Sequence, residues 1–104
     1  MYDAKHYNCL HFVVDKYREL TGVDIGLFVA DLADDRRIVP SKLKRLRRVA
    51  EPISPCVAVM RGVEPHAGIY HNGQILHLNE QGVHCQPPHI AEIQHGAIHY
   101  YVVD

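Results

Sequence analysis

The spacing of apolar residues changes period about halfway along the chain. Leu10, Val13, Val14 and Tyr17 fall at the i, i+3, i+4, i+7 spacing of one helical face, with Asn8, a preferred N-cap, before them and Gly22, a helix stop, after. The spacing predicts a helix over 9–21 with Cys9 in its first turn. Ile25, Phe28, Val29 and Leu32 repeat it and predict a second helix over 24–35. A third, short helix is expected after Pro40-Ser41, with Leu43, Leu46, Val49 and Ala50 inward and Lys42, Lys44, Arg45, Arg47 and Arg48 outward, closed by Pro52 and Pro55. Beyond it the period falls to 2 or to short apolar runs. Residues 56–60, 66–71, 74–78, 83–86 and 97–103 then read as strands, with one helical turn over 89–94 after Pro87-Pro88. Helices first and strands second predict an α+β domain in which N-terminal helices pack on a small antiparallel sheet.

Length and composition narrow this picture. At 104 residues the chain is expected to be one domain spanning 1–104, and 47% hydrophobic with 22% charged residues is ordinary for a folded soluble domain. A net charge of -1 gives no global pull toward nucleic acid or membrane. The basic run 42–48 reads as the solvated face of its helix, because no aromatic residues interleave it as they do on nucleic-acid surfaces. No apolar stretch is long enough for a signal peptide or a membrane span, so cytoplasmic synthesis and no membrane partner are expected. Cys9, Cys56 and Cys85 are too few and too far apart for a disulfide framework. Nine histidines are many for this length, and a zinc site from Cys9, His11, His84 and Cys85 can be drawn. It lacks any close C-x-x-C or H-x-x-x-H pair, so neither metal nor cofactor is expected.

Candidate chemistry comes from a hairpin. Asn72-Gly73 between two strand-like runs is the signature of a type I′ turn, whose central residues both need positive φ. Pairing His71 with Gln74 sets Tyr70 opposite Ile75, Gly68 opposite His77 and His66 opposite Asn79. His66 and His77 then share a face as diagonal neighbours, with Gly68 adding no bulk between them, and His71 falls on the other face. A Cys–His thiol site needs a sulfur whose ionised form is stabilised by a helix N-terminus and an imidazolium. Cys9 is placed for the first of these. The second requires the face bearing His66 to pack against the start of the first helix, with His77 holding the His66 tautomer.

Y-N-C-L-H-F-V from Tyr7 resembles the Cys-bearing helix start of the NlpC-type cell-wall cysteine peptidases, particularly the short versions of tailed bacteriophages. H-A-G-I-Y-H-N-G-Q-I-L-H-L from His66 is similar to that family's catalytic-His hairpin. The resemblance implies a papain-like fold and a catalytic Cys9, His66 and His77 acting as nucleophile, base and polar third member. It implies cleavage of amide bonds in peptidoglycan stem peptides, tail-tip proteins as partners, and a place in the virion tail. Tyr7 and Asn8 are the implied substrate contacts, with Asn8 standing where the family usually has Asp. The same motifs resemble those of the lecithin:retinol acyltransferase-like enzymes, in which His precedes Cys; the order here favours the peptidases. A tail subunit that keeps the fold with an inactive site is the alternative.

Overall fold

The computed structural model describes residues 8–32, 35–40, 46–62 and 65–103. Its first element is α1 (Cys9–Thr21). Asn8 starts it through a capping box: its carboxamide oxygen accepts from the Leu10 and His11 N–H groups, and its own N–H donates to His11 Nδ1 at 3.2 Å. Gly22 ends it at φ 80, where its N–H donates to the Arg18 carbonyl.

The second predicted helix is instead a two-stranded antiparallel ribbon, β1 (Leu27–Leu32) with β2 (Asp35–Pro40). Gly26, at φ 58, interrupts any helix continuing from Ile25, and the short apolar run 27–30 reads as a strand as readily as a helix turn. The third predicted helix is also overturned where it is described, since Leu46–Val49 forms β3, paired with β8 from Leu46↔Val103 to Val49↔Tyr100. Residues 41–45 of that helix lie outside the described residues.

Six strands, β3, β4 (Cys56–Arg61), β5 (Pro65–His71), β6 (Gln74–Asn79), β7 (Gly82–Gln86) and β8 (Ile98–Val103), form an antiparallel sheet in the order β3-β8-β4-β5-β6-β7. A second helix, α2 (Pro88–His95), connects β7 to β8. The architecture is a small α+β domain with a helix packed on an antiparallel sheet.

Each face of the sheet has its own core. On one, Leu10, Val13 and Tyr17 of α1 pack with Val57, Val59, Ala67 and Ile69. On the other, Ala91 of α2 packs with Ala58, Met60 and Ile75, flanked by Tyr70 and Tyr100. Strand β4 lies between the two layers and is buried from Cys56 to Met60, which is why that run reads as continuously apolar rather than alternating. The β5–β6 turn has Asn72 at φ 51 and Gly73 at φ 81, the two positive angles a type I′ turn needs. Its ladder carries His71↔Gln74, Tyr70↔Ile75 and Ile69↔Leu76.

Candidate active site

The capping box sets Cys9 as the first residue of α1, where unpaired N–H groups and the positive end of the helix dipole gather. Burial pushes its thiol above the usual cysteine range, and backbone N–H groups of Ala67, Cys9 and Leu10 pull it partly back. A thiol at a helix start beside an imidazolium is expected to be depressed instead. Desolvation outweighs the donors, so the site rests as a neutral thiol.

His66 and His77 meet as the hairpin parity requires: His66 Nε2 lies 2.9 Å from His77 Nδ1, with ring centroids 5.0 Å apart and planes at 89°. The chain of bonds continues outward. His77 Nε2 is 2.8 Å from Gln86 Oε1, and Gln86 Nε2 donates to Gln94 Oε1 at 2.9 Å. With the amides oriented this way Gln86 offers an acceptor, so His77 carries its proton on Nε2 and accepts on Nδ1. His66 must then donate from Nε2, which leaves His66 Nδ1 as the basic nitrogen. Burial first, then the neighbouring His95 and His77, push His66 down from 6.5 to about 3, so the ring is neutral at physiological pH. His77, almost fully buried, is lowered too, chiefly by burial and against the opposing hydrogen bond to Gln86.

The face on which this pair sits differs from the expectation. Ala67 and Ile69 are the β5 residues that meet α1, whereas His66 alternates with Ala67 and pairs with Met60 of the α2-side core. The His66 face therefore packs against α2, and His95 from the end of that helix stacks on His66 with centroids 4.5 Å apart. Cys9 approaches over the other face. The two are brought together at the end of the β5–β6 hairpin, where Cys9, Pro65, His66, Leu78, Glu80 and His95 are among the residues lining a cavity of about 470 Å³. Among the described residues no hydrogen bond joins the Cys9 sulfur to a ring nitrogen of His66.

Two histidines outside the predicted triad, His95 and His84, belong to this cluster. His95 lies 5.1 Å from His77 by ring centroid as well as stacking on His66, and its Nε2 is buried without a hydrogen-bond partner. Its position follows from a close backbone approach: a Cβ on Gly62 would stand 2.6 Å from the His95 carbonyl oxygen. No local sequence pattern signals that contact. His84, paired with His77 across β6–β7, stacks on it at 5.6 Å and bonds Asn79 Oδ1 through Nε2 at 3.0 Å. His84 and Gln86 were readable by extending the same parity through β7.

The remaining candidates are dispersed. Asn8 Oδ1 is engaged in capping, and Tyr7 lies outside the described residues. His71 is held by Ser54 Oγ at 2.9 Å, away from the pair. Cys85 is exposed and donates to Gln74, Cys56 is buried, and His11 serves the capping box, so Cys9, His11, His84 and Cys85 do not form one site.

The chain matches no family model and no curated protein, and no solved structure matches it.

Proposed function

We propose that this chain is a papain-like, NlpC-type thiol hydrolase acting on amide bonds of peptidoglycan stem peptides, and that it works as a component of a phage tail tip. The observation that carries the reading is that Cys9, at a helix start, and His66, with its tautomer set by His77 and Gln86, line one cavity. The substrate class comes from the resemblance of the two motifs.

Both reacting groups begin neutral. As the Cys9 sulfur attacks the substrate carbonyl carbon, its proton passes to His66 Nδ1, and the imidazolium is held through Nε2–H by His77. The Cys9 backbone N–H, at the helix terminus, stabilises the oxyanion. Collapse expels the amine, which takes the proton from His66, and water then releases the acyl group. An acyltransferase of the same superfamily would differ only in that last acceptor. Thiol and ring are not hydrogen-bonded to one another at rest, and in this reading their contact tightens when substrate binds.

A structural tail subunit with a vestigial site is the second reading, favoured by the raised Cys9 thiol and the missing Cys9–His66 bond. Peptide mapping after iodoacetamide treatment at pH 7, together with release of stem-peptide fragments from purified peptidoglycan, separates the two. A hydrolase labels faster at Cys9 than at Cys56 or Cys85 and loses fragment release in Cys9→Ala and His66→Ala. Equal, slow labelling with no release in the wild type leaves the structural reading.

A further inference from the structure

The cluster contains a second arrangement that the thiol chemistry does not use. His66, His77 and His95 each offer a ring nitrogen, and the three nitrogens lie within 4.8 Å of one another. The hairpin register joins His66 of β5 to His77 of β6, but His95 comes from the end of α2, and local sequence does not force it onto that pair. His77 is already oriented as a ligand: its Nε2–H is held by the Gln86 carboxamide oxygen at 2.8 Å, which points the Nδ1 lone pair at His66, whose Nε2–H it accepts at 2.9 Å and whose place a metal ion would take. A second-sphere carbonyl on the far nitrogen is the usual device that fixes a metal-binding histidine. His95 supplies the independent sign: its ring stacks on His66, and its Nε2 is buried with no hydrogen-bond partner. Such a polar atom costs stability unless something satisfies it.

We propose that His66, His77 and His95 form a three-imidazole site for a divalent transition-metal ion of the zinc class, with its fourth position open to the cavity that Cys9 lines. Three imidazoles suit Zn²⁺, Co²⁺, Ni²⁺ or Cu²⁺ far better than the oxygen-seeking Mg²⁺ or Ca²⁺. Tetrahedral coordination at about 2.0–2.1 Å sets ligand nitrogens roughly 3.4 Å apart, so the 2.9 Å His66–His77 pair need open only slightly. Binding through His66 Nε2 displaces the proton shared with His77, and that proton moves to His66 Nδ1. One consequence rests on the hydrolase reading above: a metal-loaded His66 has no lone pair left for the Cys9 proton, so metal binding and thiol catalysis exclude each other.

The test uses tag-free full-length chain stripped with EDTA and titrated with Co²⁺ and then Zn²⁺, read by the cobalt visible spectrum and by calorimetry. One ion per chain is expected, with intense bands of four-coordinate cobalt that Zn²⁺ bleaches. His95→Ala should weaken binding at least about tenfold. His95→Phe, which keeps a stacking ring but no ligand atom, should do the same with its circular dichroism unchanged. Cys9→Ala and the exposed His89→Ala should leave affinity as it is. Absent binding, binding indifferent to both His95 variants, or binding abolished in Cys9→Ala would overturn the site. Because the readout is spectroscopic, an inactive hydrolase with normal cobalt binding removes the thiol reading alone, and the converse removes the metal site alone.

Discussion

Gly68 holds the site together by having no side chain, and Gly68→Ala tests that directly. A Cβ at this position would stand 2.6 Å from the Leu76 carbonyl oxygen, 3.0 Å from Ile75 Cγ2 and 3.1 Å from His77 Cβ. The nearest of these is about 0.8 Å short of the 3.4 Å at which such contacts become ordinary, and it is a backbone atom. A carbonyl within β6 cannot swing aside as the tip of a long side chain can, so β5 and β6 must separate. Transmitted in full, that displacement would stretch the His66–His77 bond from 2.9 Å to beyond the distance of a hydrogen bond. Overpacking of this kind costs about 1–3 kcal/mol, which for a domain of this size lowers the melting temperature by roughly 5–20 °C. Thermal unfolding followed by circular dichroism measures the cost, and the histidine ring resonances in a proton NMR spectrum report the broken pair. A Gly68→Ala protein within about 0.5 kcal/mol of wild type, with those resonances unmoved, would refute the reasoning.

Three further outcomes are expected. In metal-free protein, stability should fall as pH drops from 7 to 4.5: unfolded histidine gains a proton near 6.5 while folded His66 resists until about 3, so the stabilisation is present above 6.5 and is lost toward acid. At about 1.4 kcal/mol per unit the loss reaches at most about 2–3 kcal/mol by pH 4.5, and urea unfolding of the wild type beside His66→Gln, in which that slope should shrink, checks it. Asn8→Ala removes the acceptor for the Leu10 and His11 N–H groups and should cost about 1 kcal/mol of unfolding free energy in urea, with hydrogen exchange rising first at the start of α1. Gln86→Leu strands the His77 Nε2–H and should cost about 1–3 kcal/mol in the same assay, whereas Gln94→Ala, at the exposed end of the chain of bonds, should cost under about 0.5 kcal/mol.

Local signals in the sequence identified what local interactions build. The helix over 9–21 has its cap, its apolar stripe and its stop within the segment, and the Asn72-Gly73 turn carries its own register, which is why the meeting of His66 and His77 followed from parity. The stretches read as helices over 24–35 and after Pro40 are different. Their apolar residues satisfy a helical period, yet Leu27–Leu32 pairs with Asp35–Pro40 and Leu46–Val49 with Tyr100–Val103. Where partner strands decide the conformation, short-range spacing is a weak guide. The same distinction divides the site. Gln86 and His84 are reachable by continuing the hairpin register, but His95 depends on how α2 seats against β4, and the face that α1 covers depends on packing across the whole sheet.

His66 and His77 are separated by one tight turn, whereas Cys9 lies more than fifty residues upstream and touches β5 only because α1 docks on the layer containing Ala67 and Ile69. The imidazole pair is therefore a short-loop feature that a few residues can close and reclose quickly, while the thiol's place is a long-range contact with a much larger loop to close. Any partial opening that lifts α1 off the sheet would separate nucleophile from base and leave the histidines intact. A thiol reagent and a metal ion would then report on different cooperative units of one small domain, the reagent on the docking of its first helix and the ion on the hairpin and α2 beneath it.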